Sequence, residues 1–434
     1  MKLMVVGGGG REHAIIKSLK KNPDVTEIYA LPGNGGIAAD AVCVAIGATD
    51  IEAQVAFAKE KGIDFAVVAP DDPLVLGAVD ALEAAGVPCF GPNKAAAILE
   101  GSKVFSKNLM KKYGIPTAAY EVFTEAEAAM KYLETAPMPT VIKADGLALG
   151  KGVIIAMNLE EAKEAVSSIM EDKKFGASGN QIVIEEFLTG PEVSVLSFTD
   201  GKVVVPMVSS MDHKRAFDND EGLNTGGMGT IAPNPYYTEE VAARCVEEIF
   251  LPTINAMNAE GRSFKGCLYF GLMITPNGPK VIEYNCRFGD PETQVVLPLL
   301  ESDLLTVMKA CQAGTLAETE VKFADKNACC VVMASKGYPE AYEKGYEITV
   351  DPDCEADVFI AGAKLADGKL VTSGGRVLGV VETAATLPEA VEKAYAQVKK
   401  VHFGNAFYRN DIGASALKAW NQNLEVRAWF IAYM

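Results

Sequence analysis

The chain has 434 residues, 49% hydrophobic and 22% charged, which is the make-up of a folded globular protein long enough for about three domains. Forty Lys and Arg stand against 57 Asp and Glu, a formal net charge of −17, and so acidic a surface repels nucleic-acid backbones. No apolar run approaches the ~18 residues of a membrane span. The glycines at 7–10 interrupt the first apolar stretch too early for a secretory segment. Nine cysteines without C-x-x-C spacing, and three histidines in all, argue against structural zinc and for free thiols in a reducing cytoplasm.

In chain order, strands are expected at residues 3–6, 27–30, 65–69 and 88–90, with helices at 12–21, 51–61 and 73–85. Such alternation predicts a parallel sheet with crossover helices. Ligands of such sheets sit beyond the carboxyl ends of the strands. From about Lys103 the pattern changes to a small α/β piece at 120–188, with strands near 141–144, 153–156 and 181–186 around a helix at 159–171. A strand-rich stretch at 192–209 and a polar, Gly-rich loop at 212–229 follow. Then come a long helix at 238–260 and two strands, 266–275 and 280–286, whose Pro276-Asn277-Gly278 link is a hairpin signal. Beyond residue 328 the chain is again strand-rich, with one helix at 387–401.

Gly7-Gly8-Gly9-Gly10-Arg11-Glu12 lies between a strand and a helix but fails the G-x-G-x-x-G spacing, and the second strand ends without a ribose-binding acid. A dinucleotide oxidoreductase is thereby disfavoured, while the glycine amides at the helix start suit a lone phosphate. Lys143-Ala144-Asp145-Gly146-Leu147-Ala148-Leu149-Gly150-Lys151-Gly152 places small residues and lysines between two strands, as a flap over polyphosphate requires. A plain hairpin loop is the alternative. In Val281-Ile282-Glu283-Tyr284-Asn285-Cys286-Arg287, strand alternation puts Glu283, Asn285 and Arg287 on one face and Ile282, Tyr284 and Cys286 on the other. A carboxylate and an amide oxygen two residues apart suit Mg²⁺, with a guanidinium beside them for a carboxylate or phosphoryl group. A solvated polar face is the alternative here. His213 reads equally as a catalytic or a structural histidine.

Taken together, these motifs resemble the glycinamide ribonucleotide synthetase family (phosphoribosylamine–glycine ligases) of the ATP-grasp superfamily. The resemblance rests on Gly9-Gly10-Arg11-Glu12-His13, Pro32-Gly33-Asn34, Leu99-Glu100-Gly101-Ser102-Lys103, Asp212-His213-Lys214-Arg215, Arg287-Phe288-Gly289-Asp290-Pro291-Glu292-Thr293-Gln294 and Thr372-Ser373-Gly374-Gly375-Arg376. It implies α/β and α+β architecture: an N-terminal parallel α/β substrate domain (1–102) and an ATP-grasp domain (103–300) with a mobile subdomain at about 120–190. A connecting helical segment (301–327), a strand-rich C-terminal domain (328–425) and a tail (426–434) follow.

The resemblance also implies ATP-dependent ligation of glycine to 5-phosphoribosylamine through glycyl phosphate in purine biosynthesis, by a cytoplasmic monomer. ATP would be bound by Lys103, Lys143, Gly150, Lys151 and Gly152, by Glu185, Glu186 and Leu188 at the adenine, and by Glu192 at the ribose. Glu283 and Asn285 would hold Mg²⁺ or Mn²⁺. Arg287, Asp212 and Lys143 would act in catalysis, with Asp212 on the glycine ammonium. Gly9, Gly10, Pro32, Gly33, Asn34, Lys214 and Gly289, with Asp212 and Arg287, would contact the substrates. Phe217 and Asn219 stand where the family has glycines, Leu223 where it has Pro, and Asp71-Asp72 where it has Glu-Ala. The alternatives are an ATP-grasp ligase for another carboxylate and a nucleotide sensor without catalysis.

Overall fold

The structure is a computed structural model describing residues 1–147 and 152–421. The alternating N-terminal pattern builds a five-stranded parallel sheet in the order Val42–Cys43, Glu27–Pro32, Lys2–Gly7, Phe65–Val68, Cys89–Phe90. Lys2–Gly7 is central, and its side chains divide between two cores. Leu3 and Val5 enter one with Ile15 and Phe65, and Met4 and Val6 enter the other with Leu31 and Leu82. The helix expected over 73–85 is instead two, Asp71–Leu76 and Ala78–Ala84. Gly77 between them has φ +96°, a left-handed conformation that ends the first helix. The two-residue edge strand Val42–Cys43 is too short to leave an alternation in the sequence.

Two antiparallel four-stranded sheets follow. One runs Tyr120–Phe123, Ile182–Glu186, Thr140–Ala144, Val153–Ala156, and its core is closed by Leu133, Ala162 and Val166 from helices Ala126–Leu133 and Leu159–Val166. The other runs Val204–Pro206, Glu192–Thr199, Gly266–Thr275, Gly278–Asn285, packed on Leu251–Ala259. The long helix expected at 238–260 is present but widens into a π-helical turn at Val246–Phe250. Pro252, second in the next segment, has no N–H to donate to a preceding turn, so the irregularity falls where a regular ladder would be interrupted.

The C-terminal antiparallel sheet has the order Met211–Asp212, Gly229–Ala232, Asn327–Ser335, Arg376–Ala384, Asp357–Ile360, with Ala406–Phe407 also on Asn327–Ser335. The stretch at 212–229, read from sequence as an irregular loop, therefore begins and ends in this sheet. Between those ends it forms a hairpin of Arg215–Phe217 and Glu221–Asn224. Asn219, standing for a family glycine, has φ 59°, the left-handed conformation asparagine tolerates better than most residues. The helix expected at 387–401 ends earlier, as Leu387–Val398. All nine cysteines are free and seven are buried; Cys43 is exposed and Cys354 half-buried. Among the described residues no helix is long and apolar enough to cross a membrane.

Candidate active site

The cleft between the two central sheets is walled by the strand Gly278–Asn285, where strict alternation fails at one residue. Gly271 pairs with Glu283 and Leu272 with Val281, so Ile282 is an extra, unpaired residue, a β-bulge. Beside the bulge Ile282 is only half-buried and stays outside the core that takes Tyr284 and Cys286, correcting the expectation that it joins them. Val281, Tyr284 and Cys286 enter the core, and Glu283, Asn285 and Arg287 line the cleft as expected.

Arg287 donates from one terminal nitrogen to Asn285 Oδ1 at 3.2 Å and pairs with Glu100 Oε1 at 3.1 Å. The other Glu100 oxygen accepts from the Cys286 amide at 2.6 Å. Burial raises the Glu100 pKa and would lower that of Arg287, but the Glu100 and Asp71 carboxylates raise the guanidinium above its ordinary value. Burial alone would raise the Glu283 pKa too; Lys214, Lys143, Lys103 and Arg287 outweigh it and hold the carboxyl below its ordinary range. Among the described residues no three His, Cys, Asp or Glu side chains converge as a cation site. Glu283 and Asn285 therefore offer two hard oxygens only, one charged, which fits a cation that completes its shell with phosphate and water.

Lys103 and Lys143 line the same cleft, with Gly152, Glu185 and Leu147. Lys103 starts the helix Lys103–Tyr113 and donates to Gly146 O at 2.5 Å. Asp145 Oδ1 accepts from Val104 N and Ser102 Oγ, both at 3.1 Å, so the start of the expected flap is tied to this helix end. Gly152 O accepts from Ala144 N at the neck of the hairpin. Gly150 and Lys151 lie outside the described residues. Lys143 donates to Ile282 O at 3.0 Å and lies 3.0 Å from Glu185 Oε1.

The carboxylate of Glu185 is 4% exposed and sits between Lys143 and Lys107, the latter 3.4 Å from Oε2. Lys107 also donates to Thr117 Oγ1 and Ala118 O, and burial brings its pKa down to about 8. Glu186 is exposed and accepts from Ala119 N at 3.2 Å, and Leu188 lies past the end of its strand; neither side chain lines the cleft.

Lys214 joins two expected sites, lying 3.3 Å from Glu192 Oε2 and 3.8 Å from Glu283 Oε1, and chiefly Glu192 raises its pKa. Asp212 is raised well above the ordinary carboxylate range, first by burial and then by the negative charge of Glu292. His213 is structural: Gly413 N donates to its Nε2 at 3.0 Å, so Nδ1–H donates to Gly229 O at 3.1 Å.

At the carboxyl ends of the parallel strands, Gly9 N donates to Glu12 Oε2 at 2.6 Å, and a Cβ on Gly10 would stand 2.7 Å from Gln294 Nε2. A Cβ on Gly8 would meet Gly33 O at 2.3 Å, which brings the 32–34 turn against the glycine loop. The Asn34 side chain is committed to framework: it donates to Gly8 O and Ile360 O and accepts from Gly36 N and Ile37 N. Any ligand contact of this turn is left to its backbone. These loops meet the turn that follows Arg287 at Asp290. Its carboxylate accepts from Arg11 N and Gln294 Nε2, and its carbonyl accepts from Arg376 at 2.8 Å.

Glu100, Lys107, Arg11, Asp290, Glu292 and Arg376 were not assigned roles from sequence. Several of these stand in the motifs that carry the resemblance, which was the signal available for them.

Family models match three consecutive parts of the chain: the phosphoribosylglycinamide synthetase N domain at residues 1–100, its ATP-grasp (A) domain at 101–293 and its C domain at 328–415. A curated relative from Caldanaerobacter subterraneus subsp. tengcongensis, named phosphoribosylamine–glycine ligase, is 48% identical over 95% of this chain and all of its own length. One of the same name from Rhizobium meliloti is 49% identical over 96% of this chain and 99% of its own. The crystal structure of phosphoribosylamine–glycine ligase from Thermotoga maritima superposes with a TM-score of 0.84 at 37% identity, covering 95% of this chain and 100% of that one. The biotin carboxylase domain of the Hydrogenobacter thermophilus 2-oxoglutarate carboxylase, at 17% identity and TM-score 0.72 over 94% of this chain and 91% of its own, shares the fold. With the cleft, its lysines and the Glu-Asn-Arg strand in the places described, the chain belongs to the phosphoribosylglycinamide synthetase family, and its central fold is ATP-grasp.

Proposed function

We propose that the chain joins glycine to 5-phosphoribosylamine at the expense of ATP, forming glycinamide ribonucleotide, ADP and phosphate in purine biosynthesis. The observation that carries this reading is the convergence, in a family member, of Lys103, Lys143, Glu283, Asn285 and Arg287 on one cleft. A carboxylate cannot expel oxide, so the γ-phosphoryl group of ATP first passes to a glycine carboxylate oxygen to give glycyl phosphate. The amine nitrogen then attacks the carbonyl carbon, phosphate leaves, and the nitrogen loses a proton.

Lys103 and Lys143 neutralise the phosphates, and residues 146–152 cover them. The adenine lies against the backbone at Glu185, Glu186 and Leu188, where the Glu185 carboxylate orients Lys143, and Glu192 takes the ribose. Glu283 and Asn285 would hold Mg²⁺ or Mn²⁺, which as a Lewis acid would stabilise charge on the transferring phosphoryl group. Arg287, braced by Glu100, faces the acyl phosphate and the tetrahedral oxyanion; Asp212 takes the glycine ammonium, with Lys214 and Gly289 beside it. Gly9, Gly10 and the 32–34 backbone take the phosphoribosylamine.

In this reading residues 1–102 serve the amine, 103–300 the nucleotide, with 120–190 as the moving part, and 301–327 lead to a C-terminal unit at 328–425. The buried free thiols suit the cytoplasm. Glycine labelled with ¹⁸O in its carboxylate tests the acyl phosphate: one labelled oxygen passes to inorganic phosphate per turnover. Unlabelled phosphate from a productive turnover contradicts the mechanism.

A further inference from the structure

Glu292 lies five residues past Arg287, and its side chain is 4% exposed. Its Oε1 accepts from the Tyr269 hydroxyl at 3.0 Å, which shares a further hydrogen bond with Ser194 Oγ at 2.7 Å. No side chain of a described residue donates to Oε2; the residue's own backbone N–H is the carboxylate's other donor. Asp212 is arranged alike: Oδ1 accepts from the His213 amide at 2.7 Å, and Oδ2 from no described residue. Backbone glycines admit both carboxylates. A Cβ on Gly289 would stand 2.3 Å from Glu292 Oε2, and one on Gly227 would stand 2.5 Å from Asp212 Oδ1. Arg376 holds this wall from the C-terminal sheet by donating to Gly226 O and Asp290 O, each at 2.8 Å.

We infer that Glu292 is the second carboxylate, opposite Asp212, of a cradle for the ammonium group of glycine, with Gly227 and Gly289 admitting the two acids to it. The inference rests on the ligation reading and deepens it. Each acid keeps one oxygen without a side-chain donor among the described residues, while a substrate ammonium carries three donors, enough to engage both and leave one for solvent or backbone. Charge-assisted hydrogen bonds to both would relieve two acids that burial keeps above the ordinary carboxylate range. Arg287, on the same turn, then faces the glycine carboxylate, so opposite ends of one small zwitterion meet opposite charges.

The test is steady-state kinetics of the full-length protein with ATP, Mg²⁺, glycine and phosphoribosylamine. Glu292→Gln keeps the shape and the acceptor for Tyr269 but removes the charge. It is expected to raise the glycine KM by about tenfold or more while the ATP KM stays within about twofold. Tyr269→Phe, which removes only the supporting hydrogen bond, should move the glycine KM less. If Glu292→Gln does not fold, Glu292→Asp serves, its shorter arm raising the glycine KM with the ATP KM unchanged. A folded variant with wild-type glycine KM, or with both KM values rising in equal proportion as a structural role predicts, overturns the inference alone. A wild-type protein without glycine-dependent ADP release overturns the ligation reading, and the inference with it.

Discussion

Ile282 decides which side chains the Gly278–Asn285 strand offers to the cleft. A reading by twos assigns Glu283, Asn285 and Arg287 correctly because they lie on the C-terminal side of the bulge, and misplaces Ile282 because nothing in the residue types announces the unpaired position. If Glu283 and Asn285 are the only protein oxygens on the cation, Glu283→Gln should lower turnover by at least about 100-fold, several kcal/mol of lost charge stabilisation, and leave the melting temperature nearly unchanged. Near-wild-type turnover at saturating Mg²⁺ removes the metal assignment.

The ion pairs behind these groups were not legible, since Lys107 and Glu185 stand far apart in sequence and meet only when the helix Lys103–Tyr113 packs on the strand Ile182–Glu186. Both are almost fully buried. Lys107→Met should therefore destabilise the protein by about 1–3 kcal/mol, since the Glu185 carboxylate keeps Lys143 but loses its second partner. Thermal melts of the double variant Lys107→Met/Glu185→Gln should recover part of that loss; strictly additive losses contradict a coupled pair.

Among the elements, the stretch at 212–229 departs most from its sequence pattern. Its polar and Gly-rich composition hides two short strands, Met211–Asp212 and Gly229–Ala232, whose partners lie in the C-terminal sheet. The hairpin between them is anchored by Arg409, which donates to Arg215 O and pairs with Asp220 at 3.0 Å, and by Asp411, which accepts from Asn219 N. His213 is a strut between this segment and Gly413, and no sequence argument separates that role from catalysis.

Burial lowers the pKa of His213 to about 4, below its ordinary 6.5, so between these values the unfolded chain binds more protons than the folded one. Stability from this group is complete above about pH 6.5 and falls as the pH drops towards 4, by about 3 kcal/mol in all. The raised carboxyls of Glu100, Asp212 and Glu292 act in the opposite sense, favouring the folded state as the pH falls, so the comparison must be with a variant. His213→Asn should flatten the loss of melting temperature between pH 7 and 5 relative to wild type. An identical slope contradicts a buried neutral histidine.

For the whole molecule, the order of the parts was legible because each carries a local motif: the glycine loop, the Lys143–Gly152 sequence, the Glu-Asn-Arg strand and the Thr372-Ser373-Gly374-Gly375-Arg376 turn. Their convergence was not. Arg11 N reaches the Asp290 carboxylate across 279 residues of sequence, and Ile360 N donates to His13 Nδ1 at 2.8 Å from the C-terminal sheet. Contacts of that separation follow from how the sheets pack, which local periodicity does not encode. The glycine loop, the turn after the Glu-Asn-Arg strand and the C-terminal sheet thus meet at Asp290.

That arrangement requires both substrates of the ligation together, and ADP release is its most direct measure. With ATP and Mg²⁺, the account predicts sustained ADP release only when glycine and freshly generated phosphoribosylamine are both present, with glycinamide ribonucleotide formed in equal amount. Release of ADP with another carboxylate in place of glycine, or none at all from folded protein, would contradict it.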